Sequence, residues 1–557
     1  MSHAVRQAIV GACLATFLAG TSAFGQNSGV VIPPSAEPRL GPREIPVPQA
    51  DLELTIPAQP RAPERRAVDE LRFPVTRIVV EGGTVYPADV LAQDYGALIG
   101  DTVGLSSIVE AAEKIEARYR ADGYVLTRAF VPPQRVGDGT FRIQIVEGFL
   151  GRILFDGGSE PVRERITAYM RRAFDGRPVN VKWIERGLLL AGDLSGVVAA
   201  GTLAPGDTPG ASDLNVKIAE KPISAGVTLG NRGSKFQGPW SLSGDVSYSG
   251  LLGLTEQIGM TLTTVPNDTR EMRQAALRYS QPIGGDGLTL GWDTTYSWGW
   301  PGHTLKSLRV NTVAWRAGPR LSYPLIRSRR ENLTLDSSLF FATTRTLVGA
   351  TLQTNEQYTA GDMRATYTHV GFLQGATVMS LGYTRGLGIA STEEGNSLLS
   401  RAGANPNFSK WTAELRRIQI LPEKFSLQWV GSGQATSSVL FAGEEFSLGG
   451  SRFGRGYDPS ELTGRNAFGQ GVDLRYGDLA GDGWQPYVFY DAGWAWNRRT
   501  GGASQTQFLS SAGLGVRVQP DSWISGGLEL AKPLTRPPGQ AEGEHPWRVL
   551  MDVSARF

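Results

Sequence analysis

Cysteine is nearly absent from this sequence of 557 residues; the single one is Cys13. That leaves no disulfide scaffold and, once a leader containing Cys13 is removed, no thiolate chemistry. Histidine is almost as scarce. His3, His303, His369 and His545 lie far apart and never at i, i+4 spacing, which argues against a histidine-based zinc site. Charged residues are 19% of the chain, below the roughly 25% of soluble domains, and the formal net charge is only +2. A nucleic-acid binder would carry a basic excess, so nucleic acid is not an expected partner. No uninterrupted apolar run reaches the roughly 18 to 20 residues of a membrane-spanning helix. Entry into a membrane would therefore require a closed β-barrel, the other structure that leaves no backbone group unpaired in lipid. Also missing are a G-x-S-x-G elbow, a Walker-type phosphate loop, an H-E-x-x-H pair and an EF-hand loop. No Asp/Glu pair stands out as a general acid and base. Neither an enzyme nor a cofactor or metal is expected.

Glycine is what the chain has in excess, 70 residues of 557, or about one in eight against a usual level near 7%. With 13 Trp and 16 Tyr, this composition fits neither a disordered chain nor a helical bundle. Residues 1–25 read as a secretory signal, with Arg6 as the positive region, Ala8 to Leu18 as the apolar run and Thr21 to Gly25 as the small-residue cleavage zone. A leader of this kind with no later helical span points to the envelope of a Gram-negative bacterium. Residues 26–72 are a proline-rich linker, with nine prolines between Ile32 and Pro63. Proline fixes φ and removes a donor, so the segment is expected to be extended and unpacked, as a spacer or as a plug lying in a channel.

An internal repeat follows. Arg77-Ile78-Val79-Val80-Glu81-Gly82-Gly83 returns as Arg152-Ile153-Leu154-Phe155-Asp156-Gly157-Gly158. Each copy opens a unit that reads strand, two helices, two strands. In the first, Ser107 and Glu110 read as a capping box at a helix start. Ile108, Ala112, Ile115 and Tyr119 form one apolar face, and Gly123 is the stop. Tyr124–Val131 and Thr140–Val146 are the expected strands. The second unit places Ile166 and Met170 on one helix and Trp183, Ile184 and Leu188 on the next, and ends with Leu214, Val216 and Ile218 alternating with polar residues.

The pattern resembles paired POTRA modules, the periplasmic polypeptide-binding domains of outer-membrane transporters, here at 73–148 and 149–221. The run from Gly123-Tyr124-Val125-Leu126-Thr127-Arg128 through Pro132-Pro133-Gln134 to Val146-Glu147-Gly148 is similar to the first POTRA of two-partner secretion transporters, which export haemolysins and filamentous haemagglutinins.

From Pro222 onward the period changes to two. Leu242, Val246 and Tyr248 share a parity against Ser241, Ser243, Asp245, Ser247 and Ser249. Leu288, Leu290, Trp292, Tyr296 and Trp298 do so against Thr289, Gly291, Asp293, Thr295 and Ser297. Apolar residues out and small polar residues in suit a lipid-facing barrel with a wet lumen; a soluble sandwich would alternate likewise. Aromatic residues near strand ends, the leader and the last strand favour the barrel. Val549, Met551, Val553, Ala555 and Phe557 share a parity, and the terminal Phe557 resembles the signal that barrel-assembly machinery reads. At roughly 20 residues per strand and connection, residues 222–557 hold about 16 transmembrane antiparallel strands. Tyr279 to Ile283 and Tyr323 to Arg329 are expected to be periplasmic turns.

Within this barrel, Ser447-Leu448-Gly449-Gly450-Ser451-Arg452-Phe453-Gly454-Arg455-Gly456-Tyr457 resembles the long inward-folded loop of the superfamily, with Arg455, Gly456 and Tyr457 as its tip. Gly454 departs from the branched apolar residue usual there and implies a more flexible tip. Phe489-Tyr490-Asp491 is similar to the F-x-D motif of a neighbouring barrel strand. On spacing alone, Arg455 is a solvated loop charge and Asp491 a lumen polar residue. The resemblance implies instead that they pair and pin the loop. It also implies a mainly β protein in the outer membrane that secretes a large exoprotein. Lipid and, during biogenesis, the barrel-assembly machinery would be its further partners. A barrel-assembly or insertion factor of the same superfamily is the alternative.

Overall fold

The computed structural model describes residues 54–55, 72–498, 504–535 and 546–557. The expected signal and most of the linker lie outside these residues. Among the described residues no helix is long and apolar enough to cross a membrane.

The first module follows the expected order. Strand Arg77–Glu81 leads to helices Ala88–Tyr95 and Leu105–Ala121, then to strands Arg128–Phe130 and Thr140–Val146. Arg77–Glu81 runs parallel to Thr140–Val146, which pairs antiparallel with Arg128–Phe130. Ile108, Ala112, Ile115 and Tyr119 are all buried against this sheet. Two readings shift. Ser107 is not a cap: the helix starts at Leu105 with Gly104 at its N-cap, because the chain enters it directly from the short strand Thr102–Gly104. The strand expected from Tyr124 is confined to Arg128–Phe130, since the Thr127 N–H turns back to the Tyr124 carbonyl.

The second module repeats the plan with strand Phe149–Gly157, helices Glu160–Asp175 and Val181–Gly192, and strands Val197–Pro205 and Ala211–Glu220. Ile166, Met170, Ile184, Leu188, Leu214, Val216 and Ile218 fill one core, each large apolar side chain contributing roughly 1.5–3 kcal/mol on burial. The linker is not unpacked throughout. Leu54–Thr55 adds to this sheet as a parallel edge strand, with Leu54 opposite Gly201 and Thr55 opposite Thr202.

Sixteen strands, from Ile223–Gly230 to Arg548–Arg556, then close into a barrel in which each pairs antiparallel with the next. The alternation is as expected: Val246, Leu262, Trp292, Leu339 and Met363 are exposed on the outer face, where lipid lies. Of the two proline segments proposed as turns, Tyr279 to Ile283 is strand throughout and Tyr323 to Arg329 is strand as far as Arg327, with Ser328 and Arg329 in the turn. Arg273–Ile283 runs through Pro282, and Val310–Arg327 runs through Pro324, where the register shifts between Pro324 and Ile326. A bulge or a strand end tolerates the missing N–H, and the chain reverses a few residues later.

The second module docks on these periplasmic turns. Arg186 Nη2 donates to the Pro324 and Asp286 carbonyls at 2.8 and 3.1 Å, Arg165 Nη1 to the Gly284 carbonyl at 2.7 Å, and Arg327 binds both Asp193 oxygens at 2.8 and 2.7 Å.

Candidate functional site

The loop between strands Phe425–Ala435 and Asn466–Tyr476 folds into the barrel and carries its own two-stranded ribbon, Phe446–Leu448 with Leu462–Gly464. An apolar face seats it. Leu448, Phe453, Tyr457 and Leu462 of the loop pack on Val430, Ala467, Ala495 and Leu509 of the wall. Wall residues from four different strands thus bury one side of a single loop, which fixes its depth in the bore.

At the tip the structure brings together the residues singled out from the sequence. Arg455 is buried, and its guanidinium reaches Asp491 through Nε to Oδ2 at 3.1 Å and Nη2 to Oδ1 at 3.0 Å. The backbone N–H groups of Gly454 and Arg455 donate to the same Asp491 Oδ2 at 3.2 and 3.0 Å, so the carboxylate holds both the side chain and the chain itself. Phe489, two residues earlier on strand Trp484–Arg498 and hence on the same face, lies under the guanidinium at 3.5 Å from Arg455 Cζ to the ring centre.

Gly456 is required by contact. A Cβ there would stand 2.7 Å from the Pro533 nitrogen and 2.9 Å from the Ser511 Cβ, so only glycine brings the tip this close to the wall. Gly454 holds φ at +108°, a value that a branched side chain would resist. The departure at Gly454 therefore accompanies a packed tip in place of the freer one expected: every residue from Phe453 to Tyr457 is buried. Tyr457 Oη lies 2.9 Å from the Ser510 carbonyl and 2.6 Å from the Thr535 carbonyl, which compete for its single proton, and it accepts from the Thr535 N–H at 3.1 Å. Phe557 lies elsewhere, exposed on the last strand's end, with its N–H donating to the Ala225 carbonyl at 2.8 Å.

Sequence reasoning missed two further carboxylates. Arg455 Nη2 also donates to Asp473 Oδ1 at 2.6 Å, and Nη1 lies 3.5 Å from Glu529 Oε1. Asp473 is in turn bonded by Arg475 at 3.1 Å. Parity carried a signal for both: each is a charge on the inward side of a strand whose outward neighbours are apolar, Leu474 beside Asp473, and Leu528 and Leu530 beside Glu529. Three carboxylates surround one buried guanidinium, two of them through hydrogen bonds. Such an arrangement specifies a position more than it adds net stability.

Fold and site together define a class: an outer-membrane β-barrel transporter with periplasmic POTRA-like modules and a loop folded into its bore. Residues 210–518 match the family described as haemolysin secretion/activation protein ShlB/FhaC/HecB, and residues 73–148 match the ShlB-type POTRA domain. The chain belongs to the ShlB/FhaC/HecB family, whose members are transporters and not enzymes. Among curated relatives, the heme/hemopexin transporter protein HuxB of Haemophilus influenzae (strain 86-028NP) is 24% identical over 70% of this chain and 69% of its own. The outer membrane transporter CdiB of Escherichia coli O6:K15:H31 is 24% identical over 84% and 79%. The solved structure of CdiB from Escherichia coli shares the fold with a TM-score of 0.71 at 21% identity, covering 91% of this chain and 94% of that one.

Proposed function

We propose that this protein secretes one large exoprotein of the haemolysin or adhesin type through its barrel, with the periplasmic modules capturing the unfolded substrate and the inward loop setting the state of the bore. The docking of the second module on the barrel's periplasmic turns carries the reading, because it holds a sheet next to the pore mouth. That sheet has an edge able to take an added strand, as the pairing of Leu54–Thr55 with Val197–Pro205 illustrates. Main-chain bonding of an extended segment to such an edge is tolerant of side chains, which suits a long unfolded client. At the other edge, Phe155 and Phe174 with Arg163 and Arg171 line a groove between strand Phe149–Gly157 and helix Glu160–Asp175.

The tip residues Arg455, Gly456 and Tyr457, with Phe489 and Asp491 on the wall, act as a lock that keeps the loop in one place at rest. The outward-parity strand ending at Phe557 serves recognition by the assembly machinery. With no nucleotide motif in the chain, folding of the client outside the cell supplies the drive. That HuxB and CdiB are named as transporters supports export over barrel assembly. Deleting residues 74–221 tests capture: secretion is lost while the barrel still conducts ions in planar bilayers. Undiminished secretion would refute it.

A further inference from the structure

The barrel closes at its shortest strand pairing. First strand Ile223–Gly230 and last strand Arg548–Arg556 share five register pairs, Gly226 opposite Arg556 through Gly230 opposite Asp552, whereas every other junction has at least eight. Backbone bonds lengthen it at each end, Ala225 and Phe557 exchanging N–H to carbonyl bonds at 3.2 and 2.8 Å and the Asn231 N–H donating to the Met551 carbonyl at 3.0 Å, and side chains add to it. Just past the first strand, Asn231 imitates a peptide unit: its Nδ2 donates to the Val549 carbonyl at 2.9 Å and its Oδ1 accepts from the Met551 N–H at 2.7 Å. The next residue is Arg232. Its Nε donates to Asp552 Oδ1 on the last strand at 2.9 Å, and its Nη1 to Glu529 Oε2 on strand Ile524–Pro533 at 2.7 Å.

Glu529 is the shared element. One of its oxygens takes Arg232; the other accepts from the Tyr487 hydroxyl and faces Arg455 of the loop tip at 3.5 Å. Asp552, Arg232, Glu529, Arg455 and Asp491 thus form an unbroken series of alternating charges from the closing seam to the loop.

We infer that Arg232 is a positioning residue that couples closure of the barrel to seating of the loop. The inference rests on the reading of Arg455 as the loop's lock. Arg232 and Tyr487 together hold Glu529 at the orientation Arg455 needs, and the Arg232 guanidinium also clamps the seam. Without it, Glu529 and Asp552 lose a shared cation on the inner face, and both the short ladder and the loop contact loosen.

Hydrogen exchange on the full-length protein in lipid nanodiscs tests this, reading peptides from the seam (223–231 and 548–557) and from the loop (449–461). Arg232→Gln should speed exchange in both regions, by roughly tenfold at the loop tip as for a typical coupling between sites, and Arg232→Lys should restore the loop more than the seam. A merely local role for Arg232 moves the seam peptides alone. Loop exchange that rises in Arg455→Ala but not in Arg232→Gln overturns the coupling and leaves the lock standing, and exchange that rises in neither overturns both. Should Arg232→Gln not assemble, Asp552→Asn, which removes one of its two anchors, is read in the same way.

Discussion

Replacing Arg455 by alanine removes the cation shared by Asp491, Asp473 and Glu529. The carboxylates stay, buried, with fewer partners. Removing one member of a buried ion pair costs about 3–5 kcal/mol. Because each 1.36 kcal/mol is a factor of ten, the ratio of seated to unseated loop should fall by about 2.2 to 3.7 powers of ten. The Gly454 and Arg455 amides, which donate to Asp491 Oδ2 at 3.2 and 3.0 Å, report this directly. Their exchange should accelerate by about the same factor, up to the point at which the loop is mostly unseated. The barrel should remain folded and heat-modifiable, since its ladders do not involve the loop, and export should be lost. Arg455→Lys should fall between, because an ammonium cannot span Asp491 and Asp473 as a planar fork does. Unchanged exchange in Arg455→Ala, or wild-type export by it, would refute the reasoning.

Gly456→Ala should unseat the tip as strongly as the loss of Arg455, because its Cβ meets backbone at 2.7 Å; retention of normal loop exchange would show that the wall gives way. Tyr457→Phe removes the hydroxyl that joins Ser510 and Thr535 and should cost about 1 kcal/mol of seating, seen as a severalfold rise in loop exchange with export reduced but present. In the periplasm, a hydrogen bond from Arg152 holds the Asp213 carboxyl below its ordinary range, despite some opposing burial. A carboxylate lowered on folding stabilises above its unfolded value of about 3.9 and loses that contribution as pH falls through the lowered folded value. The second module should therefore weaken below about pH 4, read by exchange in residues 149–157 and 211–220, and Asp213→Asn should remove that part of the acid response.

The barrel was legible because a lipid face and a wet bore force period-two alternation on each strand, as in Leu288 to Trp298. Strand ends were less so. Pro282 and Pro324 signal reversal in most contexts, yet here both sit inside strands, one near its end and one at a register shift. The same holds for Ser107, whose capping pattern is overridden by the strand that feeds the helix at Leu105. At the site, Asp491 was found through a motif resemblance. Asp473 and Glu529 reach Arg455 through the register of four neighbouring strands, in which Asp473 stands opposite Phe489 and Glu529 opposite Gly515, and no local spacing in the sequence encodes that register. The pairing of Leu54–Thr55 escaped for a related reason: two residues among many prolines carry no periodicity of their own.

The central claim is that another polypeptide passes through the bore. Thr366 and Met363 lie on the same strand, Thr351–Val370, but Thr366 faces the lumen, 3.2 Å from the Ser380 hydroxyl, and Met363 faces lipid. A photo-crosslinker placed at each position in cells secreting the client, with translocation stalled by a folded domain fused to the client's C-terminus, distinguishes the two faces. Capture of the client at 366 and not at 363 is the predicted result, and capture at 363 alone, or at neither while secretion proceeds, would contradict it.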